Sequence, residues 1–198
     1  MRMNLETERL ILRNLTPDDW QAAFRWCGDP DVARYMVYPV YTRAEDVRIW
    51  LESLDPEDPD DYDAGIVLKE TGELIGSGGL FYKPEDDLWT IGYNLRKDQW
   101  GHGYAGETIR GVLEYVRTQR KVRGIQGSFA NENHKSRRVM EKLGMTYAGE
   151  AEIRKLDGSE VIPAKLYRRL FGSITLTNTT TTITRRKGFF PATGRWNT

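Results

Sequence analysis

Trp100-Gly101-His102-Gly103-Tyr104-Ala105-Gly106 lies between a strand-like run, Leu88–Leu95, and a segment with Ile109, Val112, Leu113 and Val116 on one helical face. A glycine-rich turn in that place lets backbone N–H groups converge on an anion at the positive end of the helix. Glycine is required where a side chain would keep a phosphate off the backbone. The six residues from Gly101 to Gly106 also read as a strand-to-helix turn that binds nothing, and literally as G-x-G-x-x-G, the dinucleotide fingerprint. A dinucleotide fold would place the turn at the start of a βαβ unit, with an acid about 20 residues onward for the ribose. Here the next strand is Gly124-Ile125-Gln126-Gly127-Ser128-Phe129, without an acid, and antiparallel strands precede the turn. Dinucleotide binding is therefore the minor reading.

Upstream, Leu10–Arg13 reads as a strand, and Thr16-Pro17-Asp18-Asp19 as a helix start with a capping hydroxyl and early acids. Thr42-Arg43-Ala44-Glu45 reads as a capping box opening a second helix that buries Val47, Trp50 and Leu51. Ala64–Lys69, Leu74–Tyr82 and Leu88–Leu95 are strands joined by turns at Glu70-Thr71-Gly72 and Lys83-Pro84-Glu85-Asp86-Asp87. Downstream come the strand Gly124–Ala130, the helix Ser136–Leu143, and a hairpin of Thr146–Arg154 with Val161–Arg168. The order β-α-α-β-β-β-α-β-α-β-β implies an α+β fold: one twisted, mixed, mostly antiparallel sheet with helices on both faces.

The chain has 198 residues, 39% apolar and 29% charged, with no net charge, as expected of one soluble domain. Of its 29 basic groups, four (Arg185, Arg186, Lys187, Arg195) fall in residues 173–198, which hold no acid, leaving 25 basic against 29 acidic residues before them. A mildly acidic body argues against a nucleic-acid-binding domain. Nine of the last 26 residues are threonine, so 173–198 reads as a mobile appendage to a domain of residues 1–172, its threonines compatible with an added edge strand. No apolar run is long enough for a membrane span, and no signal peptide is legible, so a soluble, cytoplasmic protein without membrane contact is expected. The one cysteine, Cys27, forms no internal disulfide and reads as core lining rather than nucleophile.

Four segments in order resemble the GNAT superfamily of N-acetyltransferases, especially its RimJ/RimL-type branch. They are Thr7-Glu8-Arg9-Leu10-Ile11-Leu12-Arg13, Ile91-Gly92-Tyr93-Asn94-Leu95, the glycine turn, and Asn133-His134-Lys135-Ser136 with Met140-Glu141-Lys142-Leu143-Gly144-Met145. Trp100 stands where the family's turn begins with Gln or Arg, which matters little if backbone amides hold the anion. The resemblance implies acetyl-CoA as co-substrate and no metal. Its diphosphate would lie on Gly101, His102, Gly103, Tyr104, Ala105 and Gly106. A β-bulge near Asn94–Leu95 would open a V towards Gly124–Ala130, where pantetheine meets the backbone of Tyr93, Asn94, Leu95 and Arg96. Asn133 or Asn131 would hold the pantetheine arm. Ser136 is the candidate acid for the CoA sulfur, although a serine in that place also suits a helix cap.

Tyr35, Met36 and Tyr38, in the segment 29–41 between the first two helices, are the candidate acceptor wall, since loops over a scaffold carry specificity. The implied reaction moves acetyl to a primary amine (a peptide N-terminus, an amino acid or a small amine) by direct attack in a ternary complex. No dedicated base is legible: Trp89-Thr90 fills the place where an acid often precedes the strand motif. A catalytically silent acyl-CoA-binding module is the alternative, because fold does not establish activity. An edge strand or the tail offers a route to a homodimer.

Overall fold

The structure is a computed structural model that describes residues 3–172 and the pair 181–182; of the tail reading for 173–198, all but those two residues lies outside this range. Strands β1 (Asn4–Glu6), β2 (Leu10–Arg13), β3 (Asp61–Leu68), β4 (Leu74–Lys83) and β5 (Leu88–Leu95) form an antiparallel meander. Strand β6 (Gly124–Ala130) joins β5 in parallel, β8 (Val161–Leu170) pairs antiparallel with β6, and β7 (Thr146–Arg154) lies outside β8. Thr181–Thr182 (β9) adds two parallel residues beside β7. The sheet is open and mostly antiparallel.

Helices cover both faces. On one face α4 (Tyr104–Gln119) and α5 (His134–Lys142) pack on a core of Leu10, Leu12, Ile66, Ile75, Ile91, Ile109, Val112 and Ile125. On the other, α1 (Trp20–Cys27), α2 (Pro30–Ala33) and α3 (Ala44–Glu52) bury Trp26, Tyr38, Val47, Trp50 and Leu51 against Val67, Leu74 and Phe81. Along β5, side chains alternate between these layers: Trp89, Ile91, Tyr93 and Leu95 turn towards α4, leaving Thr90, Gly92 and Asn94 for the opposite face. Two buried layers follow from central strands covered on both faces: β4 is buried from Leu74 to Phe81, its glycines and Ser77 filling the positions between apolar residues.

Three local readings change. The strand β1 and the four-residue helix α2 are additional; both are too short for periodicity to announce. The Thr42–Glu45 capping box does not form: α3 is preceded by Arg43 in extended conformation, without a side-chain cap. The box forms instead at the short 3-10 turn Pro17–Asp19, where Asp19 accepts from the Thr16 amide at 2.8 Å and ion-pairs with Arg13. Among the described residues no helix is long and apolar enough to cross a membrane, and no group of three His, Cys, Asp or Glu side chains could hold a metal.

Candidate active site

The glycine turn enters α4 with Gly101 at φ +87° and Gly103 at φ +85°. That left-handed region is costly for any residue with a Cβ. The turn delivers a row of unused donors. Among the described residues no carbonyl or side chain takes the amides of Gly101, His102, Gly103, Tyr104, Ala105 or Gly106. The first engaged amide is that of Glu107, on the Gly103 carbonyl at 3.1 Å. Orphan amides and the helix dipole together make an anion site.

Behind the turn stands a brace that the sequence reading does not assign, Thr7 and Arg9 entering it only as part of a motif and Glu107 not at all. The Glu107 carboxylate accepts from Thr7 Oγ1 at 2.6 Å, Arg9 N at 2.8 Å and Arg9 Nε at 2.8 Å. Arg9 Nη1 donates to the His102 carbonyl at 3.0 Å, and its guanidinium lies 4.7 Å from the centre of the Tyr104 ring. Burial pushes the Glu107 carboxyl up, but its bonds to Thr7 and Arg9 overcome this and hold it below the ordinary value. His102 stacks on Tyr104 at 5.4 Å. Trp100 packs between the two cores and donates its indole N–H to the Leu95 carbonyl at 2.9 Å.

Next to the turn the sheet splits. β5 and β6 pair only at Trp89↔Ile125 and Thr90↔Gln126. Beyond these, β5 stays with β4 to Leu95 and β6 stays with β8 to Ala130. The facing edges of 91–95 and 127–130 therefore make no ladder to each other. The expected bulge is absent: β4 and β5 run in unbroken register from Leu88 to Leu95, so the opening comes from divergence of β6 rather than a kink in β5. Gln126, buried at the apex, donates to Asp86 at 2.7 Å and accepts from Arg168 Nε at 3.0 Å. This joins the β4–β5 turn, β6 and β8 where the V closes.

The strand residues named from sequence are distributed unevenly around that opening. Tyr93 points towards α5 and donates to the Ser136 carbonyl at 3.4 Å; burial pushes its phenol up to about 12, with a Ser136 hydrogen bond opposing the shift. Asn94 is buried on the other face, its Nδ2 3.3 Å from Ser77 Oγ and its Oδ1 without a donor among the described residues. Arg96 is spent elsewhere: its amide donates to the Ile75 carbonyl at 2.9 Å and its buried guanidinium pairs with Asp98 and Glu73. That corrects its place among the pantetheine contacts.

At the start of α5 the cap is Asn133, whose Oδ1 accepts from the Ser136 amide at 3.1 Å. Ser136 is thus in the first turn with its hydroxyl released from capping, beside Tyr93. Asn131 is exposed, its amide on the Pro163 carbonyl at 3.0 Å. In the segment 29–41, Tyr35 and Val37 pack on Ala130, Ala151, Ile153, Ala164 and Leu166, beyond the open end of β6, while Met36 leans on the α1–α3 core. Tyr38 has no exposed surface and lies in the same core as buried Cys27, where burial pushes its phenol up. Its side chain is core, a correction to the acceptor wall. Burial likewise raises the Cys27 thiol, which removes it as a nucleophile.

Residues 9–146 match the family described as Acetyltransferase (GNAT) domain. The chain belongs to the GNAT acetyltransferase family. It is 28% identical over 148 residues to an uncharacterized N-acetyltransferase, p20, of Bacillus licheniformis, covering 73% of this chain and 83% of that one. The structure resembles a GNAT-family acetyltransferase from Bacillus anthracis with a TM-score of 0.72 and 27% identity, covering 85% of this chain and 98% of that one. It also shares the fold of RimL, a ribosomal L7/L12 alpha-N-protein acetyltransferase, at a TM-score of 0.68 and 16% identity, over 86% and 96% of the two chains. As a GNAT member the protein is an acyltransferase, and the family's acetyl donor is acetyl-CoA.

Proposed function

We propose that this GNAT protein transfers acetyl from acetyl-CoA to a primary amine, either a peptide N-terminus or a small amine, by direct attack in a ternary complex. The observation that carries this is the pairing of unused amides at the front of α4 with the two-residue junction of β5 and β6 beside it. The amides suit a diphosphate, and the open edge of β5 offers backbone groups to a pantetheine amide chain as an extra strand would. Acetyl-CoA bound in this way is presented to the face opposite α4, under the segment 29–41.

The reaction forms an N–C bond at the thioester carbonyl and breaks the C–S bond. The thiolate must gain a proton, and the nitrogen must lose one. Ser136 is our candidate proton donor to the sulfur: its hydroxyl is not used as the cap, and the neighbouring Tyr93 phenol, held neutral by burial, donates to the Ser136 carbonyl and leaves that hydroxyl unengaged by it. The nitrogen's proton leaves to water, since Asp86 is tied to Gln126 and Arg168 at the apex. Free backbone N–H groups along 91–95 are suited to the carbonyl oxygen as it gains charge. Positioning then supplies much of the acceleration.

The test is thiol release from acetyl-CoA across N-terminal peptides, amino acids, polyamines and aminoglycosides. Turnover confined to one amine class supports the proposal and names the acceptor. Binding of acetyl-CoA without acyl transfer to any amine would sink it.

A further inference from the structure

Segment 29–41 is anchored in the α1–α3 core by Val32 and Ala33 on one side and by Tyr38 and Tyr41 on the other, which leaves the stretch 34–37 between them without a fully buried side chain. α2 has four residues, too few for a helix to persist without outside contacts. Of the segment's own amides between α2 and Tyr41, those bonded to backbone among the described residues are Met36, on the Ala33 carbonyl, and Tyr41, on the Cys27 carbonyl. Two surface pairs touch the segment, Lys97 with Asp31 and Arg34 with Glu132, all four side chains more than half exposed. Such pairs contribute little, typically under about 1 kcal/mol.

The β7–β8 hairpin supplies what is missing. Lys155 Nζ donates to the Ala33 carbonyl at 2.6 Å, and lies 3.3 Å from the Arg34 carbonyl and 3.4 Å from the Tyr38 carbonyl. The next amide, Leu156 N–H, donates to the Val37 carbonyl at 2.7 Å. Two consecutive hairpin residues therefore take the carbonyls of residues 33, 34, 37 and 38. These bracket Tyr35 and Met36, whose side chains are half-exposed. An ammonium at the last carbonyls of a helix also meets its negative end. The cost is visible: burial pushes the Lys155 ammonium down, against opposing contributions from Glu160 and Asp157. The same hairpin frames the far arm of the V through β8, so the bracket fixes the segment relative to the open end of β6.

We infer that Lys155 is a positioning residue for the acceptor: by clasping the backbone on both sides of Tyr35 and Met36 it sets the wall that selects the amine. This rests on the reading of 29–41 as the acceptor wall, and it concerns neither acetyl-CoA nor the proton transfers. Lys155→Met keeps the stem's apolar packing and removes the three donors; Lys155→Arg keeps a cation able to reach several carbonyls.

Hydrogen exchange and steady-state kinetics on the full chain decide it. In Lys155→Met, the hydrogen-bonded amides of 34–41, Met36 and Tyr41, should exchange at least tenfold faster. KM for the amine should rise at least fivefold, with KM for acetyl-CoA and kcat at saturating amine within twofold of wild type. Lys155→Arg should recover most of both effects. Unchanged exchange in 34–41 would overturn the clasp, whatever the kinetics. Faster exchange with an unaltered amine KM would overturn acceptor selection while leaving acetyl transfer standing. If the wild type acetylates no amine, the functional reading fails, and exchange still decides whether Lys155 holds the segment.

Discussion

Ser136 and Glu107 show how residues in the first turn of two helices divide the labour. At α5 the capping task belongs to Asn133, which leaves the Ser136 hydroxyl out of the cap and open to the proposed role at the sulfur. Ser136→Ala should lower kcat by at least tenfold, in keeping with general-acid effects of about 10²–10⁴, with acetyl-CoA affinity nearly unchanged. Equilibrium titration with acetyl-CoA beside turnover measurements checks both halves, and unchanged turnover would remove Ser136 from the mechanism. At α4 the first-turn acid is structural. Glu107 takes three donors from Thr7 and Arg9, and its depressed pKa fixes the sign of its pH dependence. The stability it contributes is complete above the ordinary glutamate value and is lost as pH falls through the lowered one. Glu107→Gln should therefore cost about 1–3 kcal/mol at neutral pH, the scale of hydrogen bonds to a charged group. The gap from wild type should narrow as pH drops below about 4, near and under the unfolded carboxyl pKa. Denaturant titrations at pH 7 and pH 3 measure it; an equal gap at both would contradict the assignment.

Elements set where the site lies. The glycine turn puts six amides on offer only because Gly101 and Gly103 bend the chain with positive φ. Gly103→Ala meets no steric wall, its nearest neighbour being Arg9 Nη2 at 3.6 Å, so its cost is conformational. That cost is about 1–2 kcal/mol, and relief by rotation would turn the amides away from the anion. KM for acetyl-CoA should rise more than fivefold while KM for the amine stays put, and the melting temperature should drop by a few degrees. An unaffected acetyl-CoA KM would mean that the turn does not hold the coenzyme. Much of this level was legible in the sequence, because the turn's glycines, the amphipathic α4 and the alternating strands are local signals. The split of the sheet was legible only through resemblance, and its cause differed: pairing of β5 with β6 depends on where two distant segments meet, which no local pattern encodes. Arg9 and Glu107, 98 positions apart, form one brace that spacing cannot reveal, and Tyr38 read as an accessible aromatic because burial is a property of the assembled layers.

Across the whole molecule, both helical layers, the V, the turn with its unused amides and the Lys155 contacts to the segment 29–41 are built from residues 3–172. Cutting after Gly172 removes four basic groups and no acid, taking the formal charge from zero to −4. At physiological ionic strength, charges farther apart than about 8 Å are largely screened, so a change of that size acts weakly on an anionic coenzyme unless the removed groups sit beside it. The chain ending at Gly172 should keep kcat/KM for acetyl-CoA within about twofold at 0.15 M salt and melt within a few degrees of the full chain. Measured in parallel at low salt, any residual loss that disappears as ionic strength rises would be long-range attraction between the tail and coenzyme. A collapse of turnover that persists at high salt would instead place part of the site beyond residue 172 and overturn a catalytic unit ending there.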